Sequence, residues 1–292
     1  MKILITGDKG QLGSQVLDIL YKGVSELGKI HDIYINSEIL GTDKKELDIT
    51  SLERVRKLLQ HFKPDVLINT SAYTNVDGCE SNKDLAFKVN ALGARNLAIV
   101  CEEIGAKLIH VSTDYVFDGR YSIPQREYDL PNPISIYGKT KYLGEEYIKQ
   151  FCTKYFIVRT AWLYGYNGKN FVKTIIKAAK EKRYLEVVDD QKGNPTNAED
   201  LAYHILKIAL TDEYGIYHCT GKGQCSWYDF ACRIVEYAGM DCHVKPIKSN
   251  EIKRAAKRPA NSSLDNMMLR CIVGDETREW EEALAEFIHN YK

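Results

Sequence analysis

The sequence predicts a doubly wound parallel α/β sheet with a smaller, mixed α/β lobe at its C-terminal end. Three observations lead there. Short continuous apolar runs alternate with longer amphipathic stretches, the pattern of strands covered on both faces and separated by helices. The first run, KILIT at 2–6, leads straight into GDKGQLG at 7–13, with glycine at every third position. After about residue 160 the alternation loosens, and 242–266 is polar, with Pro246, Pro259 and paired basic residues.

Taken in order, the strands expected are 2–6, 32–36 (DIYIN), 65–69, 107–112, 155–160, 185–188 and 215–220. Helices are expected at about 11–21, 51–62, 82–104, 136–150, 168–182, 198–210, 226–239 and 276–290. Right-handed crossovers between parallel strands then give the doubly wound, Rossmann-type arrangement. The expected division is a dinucleotide-binding domain at 1–160, to which about 196–215 returns, and a mainly substrate-binding lobe at 161–292.

Composition narrows the function. The chain has 292 residues, with Lys plus Arg and Asp plus Glu both at 40, so no net charge favours nucleic acid or a membrane surface as partner. No segment approaches the roughly 20 apolar residues of a membrane span, and the first residues already read as a core strand. A cytoplasmic protein is expected. Eight cysteines show no CxxC pair, and the group Cys219–Cys242 flanked by His218 and His243 lacks the usual ligand spacings. No metal site is predicted, and the thiols are expected to be reduced.

The glycine loop sits after a strand and before a helix, as pyrophosphate binding requires. Gly7 allows a tight turn, Gly10 lets backbone approach a phosphate, and Gly13 lets the helix pack on the sheet. Gln11 and Leu12 open that helix and present free amides. The residue that reads the adenosine ribose should end the second strand. On the expected boundaries this is Asn36, with no carboxylate to exclude a 2′-phosphate and only Lys9 as a nearby cation. NADP(H) and NAD(H) both remain open as cofactor. Asp48 and Ile49 are expected over the adenine, although the plainer role of that turn is to start a helix at Thr50 or Ser51.

A second signal is YGKTK at 137–141. Tyr137 and Lys141 stand i, i+4 on a predicted helix and share a face. An ammonium beside a phenol favours phenolate, which makes tyrosine a usable acid or base near neutrality, and the lysine can also hold the nicotinamide ribose. HVSTDYVFDG at 110–119 follows a strand, so Thr113 is a hydroxyl at the ligand-binding edge of a parallel sheet. It could share a substrate oxygen with Tyr137, beside Asp114. Separately, each feature has an ordinary explanation as a turn cap or a solvated helix face.

Together these stretches resemble the extended short-chain dehydrogenases/reductases, and within them the dTDP-4-dehydrorhamnose reductase family. The matching stretches span nearly the whole chain and include KPDVLINTSAYTNVD, HVSTDYVFDG, YGKTKYLGE, RTAWLYG, VVDDQKGNPT, SWYDF and KRPANSSL. The resemblance implies an NAD(P)H-dependent oxidoreductase of polysaccharide biosynthesis that reduces the 4-keto group of dTDP-4-dehydro-L-rhamnose. It implies Thr113, Tyr137 and Lys141 as the catalytic trio, and Thr70, Ser71 and Ala72 at the cofactor. It places Trp162 against the sugar and Asp190, Gln191 and Thr196 around the nucleotide. Arg258, with Ser262 nearby, is the main candidate for the diphosphate. Two departures touch cofactor preference: Tyr73 stands where the family has histidine, and no acidic residue ends the expected second strand. A homodimer is possible, and the residues offer no ligand set for the metal that some relatives hold at a dimer contact. Another nucleotide-sugar reductase or epimerase would share every catalytic residue. A regulatory subunit that keeps the cofactor fold is the remaining alternative.

Overall fold

The structure is a computed structural model and describes residues 1–291. Of the strands used below, five come first: β1 (Lys2–Thr6), β2 (Glu38–Thr42), β3 (Val66–Asn69), β4 (Lys107–Thr113) and β5 (Tyr155–Thr160). β6 (Tyr184–Val188) then leaves for the lobe, β7 (Gly215–His218) returns to the sheet, and β8 (His243–Ile247) pairs with β6. The six-stranded sheet runs β7-β5-β4-β3-β1-β2, all parallel. The strands are continuous apolar runs because both faces are covered. Ile3 and Ile5 pack with α1 (Gln11–Lys22), while Leu4 faces the opposite core with α2 (Leu52–Phe62). The chain changes direction between β1 and β3, so their C-terminal ends frame the crevice where a doubly wound sheet binds its ligand.

The remaining helices used below are α3 (Val76–Ser81), α4 (Gly93–Ile104), α5 (Ile136–Phe151), α6 (Phe171–Glu181), α7 (Ala198–Ala209), α8 (Trp227–Tyr237) and α9 (Trp280–Asn290). α7 packs on α1 and shares its core, while β7 adds to the sheet beside β5. A third core fills the lobe, where Tyr164, Val172 and Ile175 meet Phe230, Leu284 and Phe287.

Two expectations need correction. DIYIN is not the second strand: Asp32–Tyr34 is a turn of 3-10 helix, and the strand beside β1 is Glu38–Thr42, with Lys2 opposite Glu38. The turn buries only Tyr34, whose hydroxyl donates to the Leu206 carbonyl at 2.6 Å, and leaves Ile33 and Ile35 exposed. A central strand would bury both faces. Asn36 is therefore exposed and away from the strand's end, and Asp43 takes the place expected of it. The second correction concerns 82–104, expected as one helix. A π-helical turn at Lys88–Leu92 interrupts it and aims Asn90 inward, where its side chain accepts from the Tyr73 amide at 2.8 Å and donates to Thr140 at 3.2 Å.

Candidate active site

The glycine loop is shaped by contacts that leave no room for a side chain. Gly7 has φ 76°, and a Cβ there would lie 2.9 Å from Thr70 Oγ1. A Cβ on Gly13 would lie 2.3 Å from the Gly7 carbonyl oxygen. The Gly7 amide donates to the Thr42 carbonyl at 2.8 Å, which ties the loop to the end of β2. Gly10 caps α1 without a side-chain hydrogen bond, and no acidic residue stands in the first turn. The positive end of the helix and its first amides therefore open toward an anion. Gln11 holds the loop to the lobe: its Nε2 donates to the Leu163 carbonyl at 2.9 Å and its Oε1 accepts from Asn170. The Leu12 side chain is buried in the core, so only its backbone can face a ligand.

A cleft of about 280 Å³ lies beside this loop, bordered by Gly7, Gly10, Asp43, Asp48, Ile49, Thr70, Ser71 and Ala72. These residues fit a dinucleotide: close-approach glycines, an uncapped helix end and a trough with an apolar floor at Ile49. Asp48 Oδ1 already accepts from the Thr50 amide at 3.0 Å and hydroxyl at 2.7 Å, and Ser51 caps α2. Asp43 meets Lys9 at 2.5 Å, and that contact holds its carboxyl below the usual range. Sequence reasoning missed Asp43 because it misplaced β2. A glycine inside EILGT hides the strand, and the structure gives the reason: a Cβ at Gly41 would lie 2.9 Å from Asp8 Oδ2.

Beyond the cleft, β4 ends at Thr113 and α5 is capped by Ser135, whose hydroxyl accepts from the Gly138 amide. That start sets Tyr137 in the first turn of α5 and Lys141 one turn on. A Cβ at Gly138 would lie 2.1 Å from the Tyr115 carbonyl oxygen, so glycine there lets α5 close on the segment after β4. Thr113 donates to Asp114 at 2.8 Å and accepts from the Tyr115 amide at 3.2 Å. Tyr115 stands edge-on to Tyr137, their ring centres 5.6 Å apart. Burial pushes the Tyr137 phenol up, while the Thr113 hydroxyl pulls it down. Burial pushes the Asp114 carboxyl up to about 6, against the hydroxyls of Ser262 and Thr113. Asp114 Oδ2 is buried with no hydrogen-bond partner among the described residues.

Lys141 is 2% exposed, and burial lowers it to about 8. Its Nζ donates to the Val111 carbonyl at 2.7 Å and lies 3.1 Å from His110 Nε2. Among the described residues it makes no hydrogen bond to the Tyr137 phenol, so here the lysine faces the sheet rather than the tyrosine. Behind it, Glu145 is fully buried and accepts from Arg159 Nη2 at 2.6 Å and from Ser112 at 2.5 Å, fastening α5 to β4 and β5.

The lobe residues divide. Ser262 stands beside Asp114, as noted. Trp162 has φ 46°, unusual for a bulky residue, and stacks on Trp227 at 3.5 Å with Gly193 against its indole edge. One ring face is therefore already covered. Asp190 accepts from the Ser249 amide at 3.0 Å, and Gln191 donates to the Ser249 hydroxyl at 2.8 Å. Thr196 is corrected: it is fully buried between the Asn194 carbonyl and the Gly221 amide, with no surface open to a ligand. Arg258 reaches the site, near Tyr115, but its fork grips Asp77 of α3 at 2.7 and 3.2 Å. The Arg258 guanidinium holds the Asp77 carboxyl down at about 2. Asp77 gave no signal in the sequence, because a pair that spans 181 positions has no local pattern.

With this geometry in place, the comparisons are direct. Residues 1–292 match the family described as the RmlD substrate binding domain. The crystal structure of a dTDP-4-dehydrorhamnose reductase from Clostridium acetobutylicum is 48% identical, covers 99% of both chains and superposes with a TM-score of 0.93. The chain belongs to the dTDP-4-dehydrorhamnose reductase family. The family's enzyme from Bacillus anthracis, solved in complex with NADP, is 42% identical over 99% of both chains, with a TM-score of 0.92. The spore coat polysaccharide biosynthesis protein SpsK of Bacillus subtilis is 39% identical over 98% of this chain and 96% of its own. Membership in this reductase family makes the chain an NAD(P)-dependent oxidoreductase. No helix among the described residues is long and apolar enough to cross a membrane.

Proposed function

We propose that the protein reduces the 4-keto group of dTDP-4-dehydro-L-rhamnose with NAD(P)H, giving dTDP-L-rhamnose, and that Tyr137 donates the proton. The juxtaposition of Thr113 and Asp114, at the C-terminal end of β4, with Tyr137 of α5, on the same sheet edge as the glycine loop, is the observation that supports this most. Gly7, Gly10, Gly13, Thr70, Ser71 and Ala72 hold the dinucleotide, with Asp43 at its ribose and Asp48 and Ile49 at the adenine. The bound reduced nicotinamide supplies a hydride to the carbonyl carbon. Thr113 and Tyr137 hydrogen-bond the carbonyl oxygen, and the Tyr137 proton passes to it as charge develops there. Like any tyrosine the phenol is protonated at neutral pH, and burial moves it further that way, so it starts the step as the donor. Lys141 lies one turn away and, turned from the sheet, offers its charge to the phenolate and to the ribose.

The free Oδ2 of Asp114 is an acceptor for a sugar hydroxyl. The lobe at 161–292 supplies the nucleotide side, with Trp162 at the sugar and Arg258 and Ser262 near the diphosphate. The direct test incubates the protein with NADH or NADPH and a panel of dTDP-, UDP- and GDP-linked 4-keto sugars, following loss of reduced nicotinamide. Turnover with the dTDP-4-dehydro-L-rhamnose member is expected. Turnover only with a different sugar nucleotide overturns the substrate assignment.

A further inference from the structure

A row of buried polar side chains crosses the sheet behind Tyr137 and ends at Lys141, the only member that the chemistry above uses. Thr6 of β1, Asn69 of β3, His110 of β4 and Lys141 of α5 are each at most 2% exposed. The Thr6 hydroxyl donates to Asn69 Oδ1 at 2.7 Å, and the Ser71 backbone amide donates to the same oxygen at 3.1 Å. Asn69 Nδ2 lies 2.8 Å from His110 Nδ1, and His110 Nε2 lies 3.1 Å from Lys141 Nζ.

One donor in this row has no alternative. A backbone amide can only donate, so Ser71 determines which end of Asn69 is oxygen. The nitrogen end then faces His110, and Nδ1 must accept. A neutral imidazole with an accepting Nδ1 has its proton on Nε2. An imidazolium would set two donors against each other, and burial with Lys141 nearby holds His110 well below its ordinary value. The Nε2 proton thus points at Lys141 Nζ. An ammonium there opposes donor to donor, whereas an amine accepts through its lone pair. Burial of Lys141 acts in the same direction.

We propose that His110, held by Asn69 as the Nε2–H tautomer, is a positioning residue that donates to Lys141 and so sets the pH at which that lysine gains its charge. Its effect on turnover rests on the role proposed above for Lys141. The other titratable groups on the lysine's face of α5 are Glu145, already engaged by Ser112 and Arg159, and the Tyr137 phenol, which makes no hydrogen bond to the lysine among the described residues. Thr6, Asn69 and Asn90, from the neighbouring elements, are uncharged, and Asp114 lies past the end of β4.

Two substitutions reverse the polarity of the row without emptying it. Asn69→Asp is isosteric: its carboxylate accepts from Nδ1–H, which turns Nε2 into an acceptor for the ammonium. His110→Gln can present its Oε1 to Lys141 with no added charge. In the intact protein with isotope-labelled histidine, the long-range proton–nitrogen NMR spectrum should show His110 as the Nε2–H tautomer. Its signal is assigned by its loss in His110→Gln, or by elimination against the other six histidines of the seven if that variant does not fold. Asn69→Asp should switch it to Nδ1–H. With NADPH and dTDP-4-dehydro-L-rhamnose, the alkaline limb of kcat/KM should move up by about one pH unit or more in both variants. A wild-type Nδ1–H tautomer overturns the proposal, as does an unmoved limb in either folded variant. Full turnover in Lys141→Met would instead remove the role of Lys141 and leave the tautomer assignment standing.

Discussion

Tyr137 and Asp43 show what single residues decide. Tyr137 is half-buried against Tyr115 and Thr113, so replacing it with Phe keeps the packing and removes only the proton. Tyr137→Phe should bind NADPH normally by fluorescence titration and lose roughly 10²–10⁴ in turnover, the range of a general acid. Asp43, at the end of β2 and paired with exposed Lys9, lines the cleft beside the glycine loop and is the residue proposed at the adenosine ribose. Asp43→Ser removes a charge that repels a 2′-phosphate and leaves Lys9 free to meet one. Relative affinity should move toward NADPH over NADH by about 1–2 kcal/mol, scaled from hydrogen bonds to charged groups. Titration with both cofactors checks the sign. Gly7, Gly13, Tyr137 and Thr113 were legible in the sequence because each sits within a short local pattern. Asp77, Asn69 and His110 were not, because the side chains they pair with lie 31 or more positions away, and burial gives no signal in spacing.

Elements were legible where both faces are covered. KILIT and YFIVRT read as strands because helices bury every position, or nearly so. DIYIN misled because Tyr34 alone is buried there, and its anchor, the Leu206 carbonyl, is 172 positions away. The π-helical turn at Lys88–Leu92 has no compositional mark; what it serves is the inward Asn90 and the approach of α5, whose Gly144 would put a Cβ 2.4 Å from the Asn90 carbonyl oxygen. α5 is itself fastened through Glu145 and Arg159, both at most 1% exposed. Arg159→Met leaves Glu145 buried without its cation, which should cost about 3–5 kcal/mol. Urea unfolding measures it, and a loss under 1 kcal/mol would mean that α5 is held by packing alone.

At the scale of the whole molecule, the Rossmann half and the lobe meet over the site. Gln11 ties the glycine loop to Leu163 and Asn170, and Arg258 of the lobe grips Asp77 of α3 beside Tyr115. The fold class followed from the alternation, the glycine loop and the looser C-terminal stretch, whereas these long-range ties appear only in three dimensions. The diphosphate proposed near Arg258 would be present equally before and during hydride transfer, so its partner would contribute uniform binding. Arg258→Ala should raise KM for the sugar nucleotide by a factor worth about 1.5–3 kcal/mol, with a smaller change in kcat. Arg258→Lys should recover part of it, since a point charge cannot reproduce the fork. Steady-state kinetics with NADPH saturating separates the two parameters. The central claim is hydride delivery to the sugar's 4-keto carbon, and isotope transfer tests it most directly. The protein is incubated with NADPH deuterated at the transferring position and dTDP-4-dehydro-L-rhamnose, and the sugar product is analysed by mass spectrometry and NMR. The account predicts one deuterium at C4 of a dTDP-6-deoxyhexose and loss of that product in Tyr137→Phe. Consumption of NADPH without deuterium at C4, or unchanged product formation by Tyr137→Phe, would contradict it.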